Sequence, residues 1–163
     1  MENSLKNTAL KAVELLKEKG LTLATAESCT GGMLSALITS VSGSSSVFEL
    51  GVVSYASRIK NEILGVSKST LSEFGAVSHQ TATEMAEKVR LKADADIGVS
   101  VTGVAGPLPS ENKPVGLVYI ALSSKISQTV KELRIEPLGR DYIRQSACLE
   151  LLNMICNFIQ NGV

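Results

Sequence analysis

Apolar residues recur along this chain with two different spacings, and the changes between them mark its structural elements. Over residues 5–19, leucine and alanine repeat every three or four positions, which predicts an amphipathic helix. The segments 21–26 and 49–55 predict strands, and 97–101 is a short continuous apolar run, which is typical of a strand at the buried centre of a sheet. Helical spacing returns between and after these runs, at 30–40, 58–64, 68–74 and 79–93.

The last third of the chain has a different pattern. Residues 115–123 and 128–135 predict an antiparallel pair of strands joined by a short turn, and 140–160 predicts a final helix. Helices that alternate with strands and are then interrupted by a hairpin predict the α/β class. We expect a three-layer α/β/α fold with a mixed, mostly parallel sheet of about five strands. A chain of 163 residues suffices for one substantial core, so we expect a single domain over 1–163.

Composition narrows the possible functions. Apolar residues make up 44% of the chain, and 16 basic residues balance 16 acidic ones, so we expect no broad nucleic-acid-binding face. No apolar run is long enough to span a membrane, and the first residues lack the order of a signal peptide. The three cysteines show no paired spacing, and neither histidine pairs nor clustered carboxylates indicate a metal site. These observations predict a cytoplasmic protein without a membrane partner.

Small and hydroxyl residues follow the first predicted strand, where it gives way to a helix. Ser28 precedes Cys29 and Thr30, and Gly31 and Gly32 come next. A strand that turns sharply into a helix exposes a side chain at the carboxyl edge of a sheet, and the first N–H groups of the helix are unpaired there. We therefore predict that Ser28 is a nucleophile, that the turn binds an anion, or both.

A serine nucleophile needs a base, and the sequence offers few candidates. His79 is the only histidine, at the start of a predicted helix where a solvated position is usual. Lys60 follows the second strand and would serve as the base if burial lowered its pKa; a solvated surface lysine is the alternative. Tyr55 could orient Lys60 or relay a proton, or it could simply pack at the strand end. Cys29 is a rival nucleophile, but neighbouring side chains that leave a strand point in different directions.

A second glycine-containing loop, with Thr102, Gly103, Ala105 and Gly106, follows the third predicted parallel strand. Like the Gly31–Gly32 turn, it would let backbone N–H groups approach a ligand as an oxyanion hole or a phosphate cradle. Neither segment has the pattern of a P-loop.

Two arginines stand near the start of the last predicted helix. Arg140 and Arg144 are four positions apart and so share one helix face, which suits a phosphate or a carboxylate. A solvated face paired with Asp141 or Glu136 is the alternative.

Four segments in this order resemble the CinA C-terminal domain family, and the resemblance runs from the first predicted helix to the last. The segments are AESCTGG at 26–32, YASRIK at 55–60, TGVAGP at 102–107 and KPVG at 113–116. Stand-alone members of that family include nicotinamide-nucleotide amidases. The resemblance implies an anticodon-binding-like α/β/α domain, often a homodimer. It also implies hydrolysis of the carboxamide of nicotinamide mononucleotide to nicotinate mononucleotide and ammonia, in pyridine nucleotide salvage, without a cofactor or metal.

By the same resemblance, Ser28 is the nucleophile, Lys60 the base and Tyr55 the tyrosine near that base. The residues that we expect to contact the substrate are Thr30, Gly31, Gly32, Thr102, Gly103, Ala105, Gly106, Arg140 and Arg144. Two other functions fit these residues. One is a non-catalytic nucleotide-binding or regulatory module, which would keep the glycine loops and arginines without a close Ser28–Lys60 pair. The other is an amidase that acts on a different small amide with the same pair.

Overall fold

The computed structural model of the chain describes residues 1–162, which form five strands and six α-helices around one sheet. A 3₁₀ turn at Ser44–Ser46 and a π-helix at Lys60–Leu64 complete the helical elements. In chain order the elements are α1 (Glu2–Lys19), β1 (Leu23–Glu27), α2 (Met33–Thr39), β2 (Phe48–Val53), α3 (Ser57–Ile59), α4 (Lys68–Phe74), α5 (His79–Ala93), β3 (Ile97–Gly103), β4 (Leu117–Ser123), β5 (Gln128–Arg134) and α6 (Arg140–Gln160).

The five strands are ordered β2-β1-β3-β4-β5 across the sheet. Strands β2, β1 and β3 are parallel, β4 is antiparallel to β3, and β5 is antiparallel to β4. Four strands therefore run in one direction and only β4 opposes them. This confirms the predicted mixed, mostly parallel sheet of five strands.

Helices cover both faces of the sheet. On one face, α1, α2 and α6 pack together, and their apolar side chains, such as Leu16, Ile38 and Leu151, join the main hydrophobic core. On the other face, α5 lies across the central strands, with Met85 and Val89 in the second core cluster. The central strand β1 is buried along its whole length because helices lie above and below it. The three-layer α/β/α architecture is thereby confirmed.

The boundaries of several elements differ from the predicted ones. Helix α1 already begins at Glu2, and β3 continues to Gly103 because β4 pairs with it as far as Val118. Strand β2 ends at Val53, so Tyr55 lies beyond the strand rather than in it. The predicted α-helix at 58–64 is a single α-turn followed by the π-helix, after which the backbone N–H of Val66 donates back to the carbonyl of Lys60.

Observations on the described part of the chain limit the kinds of site it could hold. No helix there is long and apolar enough to cross a membrane. Within residues 1–162, no cluster of three or more His, Cys, Asp or Glu side chains is placed to hold a metal ion. The three cysteines are free and buried. The carboxyl ends of the parallel strands β1, β2 and β3 meet at one edge of the sheet, where ligands bind in open α/β sheets.

Candidate active site

Ser28 lies in the sharp turn between β1 and α2, at the carboxyl edge of the sheet. Its backbone N–H donates to the carbonyl of Val101 at 3.0 Å, which fixes the residue against the end of β3. Gly31 and Gly32 complete the turn with φ values of 61° and 95°, a backbone conformation that favours glycine. The hydroxyl of Ser28 lines a pocket, although the residue is only 8% exposed.

A buried carboxylate holds this turn together. Glu27 is the last residue of β1 and is fully buried. Its Oε1 accepts from the N–H and hydroxyl of Ser35, at 2.8 and 2.6 Å. Its Oε2 accepts from the hydroxyl of Thr30 at 2.7 Å and from the N–H groups of Gly32 and Leu34, both at 3.0 Å. The carboxylate thus takes up the first N–H groups of α2, the usual function of a helix cap.

This finding corrects one prediction about the turn. We expected unpaired N–H groups at the start of the helix to face a ligand, with Gly31 and Gly32 as oxyanion donors. Instead, the N–H of Gly32 donates to Glu27, and that of Gly31 donates to the carbonyl of Ser28 at 3.1 Å. These N–H groups therefore stabilise the turn itself and are not free to donate to an anion. The preceding N–H, that of Cys29, has no carbonyl or carboxylate acceptor among the described residues.

Lys60 is brought to Ser28 by the π-helix. Its side chain is completely buried, and Nζ lies 2.9 Å from Ser28 Oγ and 2.6 Å from the carbonyl oxygen of Ser54. Ser54 follows directly after β2, and its N–H donates to the carbonyl of Glu27. The amine is thus held between the ends of two neighbouring strands. A local widening of the helix is a common way to place a functional side chain.

The surroundings give Lys60 and Cys29 opposite reactivities. Burial lowers the pKa of Lys60 to about 8, because the charged ammonium loses its hydration. Burial also raises the pKa of the Cys29 thiol to about 12, so that the thiolate is disfavoured. The neutral amine is therefore accessible near neutral pH while the thiol stays protonated. Of the two candidate nucleophiles, only Ser28 has a base beside it.

The pocket above this pair has a volume of about 330 Å³. It includes eight of the predicted site residues: Ser28, Tyr55, Lys60, Thr102, Gly103, Ala105, Gly106 and Arg140. Four predicted substrate contacts are not among its lining residues: Thr30, Gly31, Gly32 and Arg144. The only histidine, His79, is exposed and lies outside the pocket, so it does not pair with Ser28.

The two arginines of α6 have separate positions. Arg140 lies at the pocket, where it donates to the carbonyl of Gly106 at 2.6 Å and to the hydroxyl of Tyr55 at 2.9 Å. Arg144 donates to the carbonyl of Thr30 at 2.8 Å and to Asp141 at 3.1 Å. Arg144 therefore supports the turn behind Ser28, and the pair does not act as one anion site.

Tyr55 and Thr102 also have contacts that the sequence did not indicate. Tyr55 is 61% exposed, and its hydroxyl contacts Arg140 rather than Lys60, so it orients the arginine and not the base. The hydroxyl of Thr102 donates to the carbonyl of Ala76 at 2.7 Å, which ties β3 to the segment before α5.

Three residues of the site escaped the sequence analysis: Glu27, Ser54 and Glu111. Glu27 had a weak signal, since an acidic residue at the end of an otherwise apolar, buried strand requires polar partners. Ser54 contributes only its backbone carbonyl, which no side-chain pattern reveals. Glu111 lies in a polar loop, and its place in the pocket depends on how that loop folds back.

Known proteins are similar to this chain in sequence and in fold. The sequence model described as the CinA C-terminal domain matches residues 5–159, so the chain belongs to the CinA C-terminal domain family. A relative from Caldanaerobacter subterraneus, a competence-damage inducible protein by name, is 49% identical over 149 residues, which are 91% of this chain and 36% of that protein. A CinA-like protein of Kosmotoga olearia is 46% identical over 144 residues, with 88% of this chain and 35% of that protein covered. The chain thus spans about a third of the length of these curated relatives.

Solved structures of similar length have the same fold. The competence/damage inducible protein CihA from Agrobacterium tumefaciens superposes with a TM-score of 0.91 at 38% identity, over 95% of this chain and 96% of that one. The competence damage-inducible protein A from Klebsiella pneumoniae gives a TM-score of 0.94 at 27% identity, over 98% and 99% of the two chains. These names state no reaction, so the chemistry of the site has to be inferred from its residues.

Proposed function

We propose that this protein is an amidase that hydrolyses the carboxamide of nicotinamide mononucleotide to nicotinate mononucleotide and ammonia. The observation that carries the proposal is the contact of 2.9 Å between Lys60 Nζ and Ser28 Oγ, made by a fully buried lysine. A base must lie within hydrogen-bond reach of the proton that it removes, and its pKa should be near the working pH. Lys60 meets both requirements, with a pKa of about 8.

The first half of the reaction forms an acyl-enzyme. Neutral Lys60 takes the proton of Ser28 Oγ while this oxygen bonds to the amide carbon, and the carbonyl electrons move to its oxygen. The resulting ammonium of Lys60 then gives its proton to the amide nitrogen. The carbon–nitrogen bond breaks, ammonia leaves, and the acyl group remains on Ser28.

The second half regenerates the enzyme. Lys60 takes a proton from a water molecule, whose oxygen bonds to the acyl carbon. The bond to Ser28 breaks, its oxygen regains the proton from Lys60, and the carboxylic acid leaves. The N–H of Cys29 follows the nucleophile directly and has no carbonyl or carboxylate acceptor in the described part of the chain, so it is our candidate oxyanion donor. Such a donor is worth about 3 kcal/mol to the transition state.

The rest of the pocket suits a nucleotide amide. Arg140 is exposed at the pocket and is held by Tyr55 and by the carbonyl of Gly106, so its guanidinium is positioned for a phosphate. Gly103 and Gly106 line the pocket with backbone alone. A Cβ at Gly103 would lie 2.7 Å from Val118 Cγ2 and one at Gly106 2.8 Å from Val115 Cγ1, so the packing of this wall requires glycine at both positions. Every step of the proposed reaction uses groups of this chain and water.

The test follows ammonia and nicotinate mononucleotide released from nicotinamide mononucleotide by the purified protein. We expect turnover by the wild type, and a loss of at least about 1,000-fold in Ser28→Ala and Lys60→Met, because each removes one half of the pair. Cys29→Ser is the matched control, since it changes the neighbouring side chain and should keep most of the activity.

Two results would contradict the proposal. Binding of the nucleotide without ammonia release would favour a non-catalytic nucleotide-binding module. Full activity of Ser28→Ala would place the chemistry elsewhere.

A further inference from the structure

One acidic side chain of the pocket, that of Glu111, has no part in the proposed reaction. Among the residues that line it, the ionisable ammonium, guanidinium and carboxyl groups belong to Lys60, Arg140 and Glu111. Lys60 has to be neutral to act as a base. When Lys60 is neutral, the lining of the pocket presents one positive charge, on Arg140, and one negative charge, on Glu111. A ligand that carries both a cation and an anion would match these charges.

Glu111 is held in place by the backbone opposite. Its Oε1 accepts from the N–H of Ala76 and its Oε2 from the N–H of Val77, both at 3.1 Å. The approach is so close that a Cβ on Gly75 would lie 2.5 Å from Glu111 Oε2. Glu111 is thus bound to the segment between α4 and α5, although it is partly exposed to solvent. A carboxylate fixed in this way can attract a cation without first being ordered.

A nearby lysine does not occupy the pocket side of this carboxylate. Lys113 Nζ donates to the carbonyl of Phe74 at 2.9 Å and lies 3.4 Å from Glu111 Oε2. Lys113 is not among the residues that line the pocket, whereas Glu111 is. Lys113 therefore pairs with Glu111 from outside the lining of the pocket, whereas Glu111 itself is part of that lining.

The charge of Glu111 acts on Lys60, at the bottom of the pocket. Burial sets the low pKa of Lys60, and the negative charge of Glu111 acts against burial by favouring the ammonium. Burial acts to raise the pKa of Glu111, but the N–H groups of Val77 and Ala76, together with the ammonium of Lys113, hold it below its ordinary value. Glu111 is therefore ionised near neutral pH and within electrostatic range of the reacting groups.

We propose that Glu111 determines specificity by recognising the positive charge of a pyridinium ring. This inference rests on the proposed function, and it names the side chain that distinguishes the cationic ring of nicotinamide mononucleotide from an uncharged ring. In this arrangement the ring cation faces Glu111 and the phosphate faces Arg140, while the carboxamide reaches Ser28. An uncharged ring of the same shape gains nothing from Glu111.

The experiment compares nicotinamide mononucleotide with its reduced form, which keeps the carboxamide and phosphate but has an uncharged ring. Affinities are measured by calorimetry in the Ser28→Ala background, where turnover does not interfere, and kcat/KM is measured with Ser28 intact. We expect Glu111→Gln to weaken binding of the cationic nucleotide about fivefold and to change that of the reduced one less than twofold. Glutamine would set its NH₂ group against the N–H of Ala76 or Val77, and the resulting displacement of the loop would weaken both nucleotides alike. Loss of the Glu111 charge also lowers the ammonium fraction of Lys60, which would favour the cationic nucleotide, so a selective loss of cationic binding isolates the attraction to the ring.

Two control variants separate charge from structure. Lys113→Gln removes a contact that secures the loop but keeps the carboxylate, so cationic binding should be unchanged or tighter. Glu14→Gln removes an exposed carboxyl on α1, away from the pocket, and should have no effect on either affinity.

The possible outcomes distinguish recognition of the ring charge from a purely structural contact of Glu111. Equal weakening of both nucleotides by Glu111→Gln would overturn charge recognition and leave Glu111 as a structural contact. Ammonia release with an unchanged ratio would overturn this inference and keep the proposed function. If the wild type released no ammonia, the proposed function would fail, and a changed affinity ratio would still support recognition of the ring. If neither nucleotide bound, this inference and the proposed function would both be overturned.

Discussion

The buried carboxylate of Glu27 offers the sharpest test of how the Ser28 turn is built. Replacing Glu27 with glutamine keeps the size of the side chain but turns one acceptor oxygen into an NH₂ donor. Oε1 accepts from the N–H and hydroxyl of Ser35, and Oε2 accepts from two backbone N–H groups and the hydroxyl of Thr30. Either orientation of the amide sets a donor against at least one backbone N–H.

The less costly orientation places the NH₂ group toward Ser35. The hydroxyl of Ser35 can then rotate to accept, because it also contacts the hydroxyl of Thr25 at 2.8 Å. The N–H of Ser35 is still left without a partner, which costs about 1–3 kcal/mol. Loss of the negative charge at the start of α2 adds about 1 kcal/mol. We therefore expect Glu27→Gln to lower the free energy of unfolding by about 3 kcal/mol.

Urea denaturation followed by circular dichroism would measure this loss. Glu49→Gln is the matched control, because Glu49 is an exposed carboxyl on the neighbouring strand β2, and we expect a change within about 0.5 kcal/mol. A loss below 1 kcal/mol for Glu27→Gln, with an unchanged denaturant slope, would refute the reasoning and show that packing alone holds the turn.

Three further predictions concern the same edge of the sheet. The amidase kcat/KM should rise with pH and level off above an apparent pKa of about 8, because Lys60 acts as a base only when it has lost its proton; a profile that is flat from pH 6 to 9 would contradict this. Lys60→Met should raise the free energy of unfolding by about 1–2 kcal/mol at pH 7. The buried ammonium of Lys60 destabilises the fold below pH 8, and this destabilisation decreases as the pH rises from about 8 toward the ordinary lysine pKa of 10.5. Urea denaturation should therefore show that Lys60→Met stabilises the protein less at pH 10 than at pH 7. Arg144→Ala should lower kcat more than it raises KM, because Arg144 supports the carbonyl of Thr30 and lies outside the pocket; an effect on KM alone, in steady-state assays, would indicate that it binds substrate instead.

The hydrophobic pattern was sufficient to predict the architecture. Apolar runs without alternation, such as 97–101, indicated strands covered on both faces, and the helical spacing between them indicated the covering layers. Both predictions depend on short-range periodicity, which the chain displays directly. Element ends were less predictable: β3 extends to Gly103 because β4 pairs with it, and such long-range pairing leaves no local signal.

The candidate site was predictable only in part. A small hydroxyl residue before two glycines marked the turn, and the shortage of histidines directed attention to Lys60. Sequence spacing could not show that Lys60 is buried, nor that its amine reaches Ser28. It also placed Arg140 and Arg144 together on one helix face, whereas their side chains reach different partners.

By itself, then, the sequence determined which segments become strands and helices and which residues stand at the carboxyl ends of the parallel strands. Those properties follow from the periods of the two structures and from the geometry of a sheet edge. Only the tertiary structure decided the chemistry available at that edge. Burial lowers the pKa of Lys60 to about 8, Glu27 accepts from the helix N–H groups that an anion would otherwise need, and the folded loop brings Glu111 to the pocket. Desolvation and hydrogen-bond partners depend on what surrounds each group, and residues distant in the chain supply those surroundings.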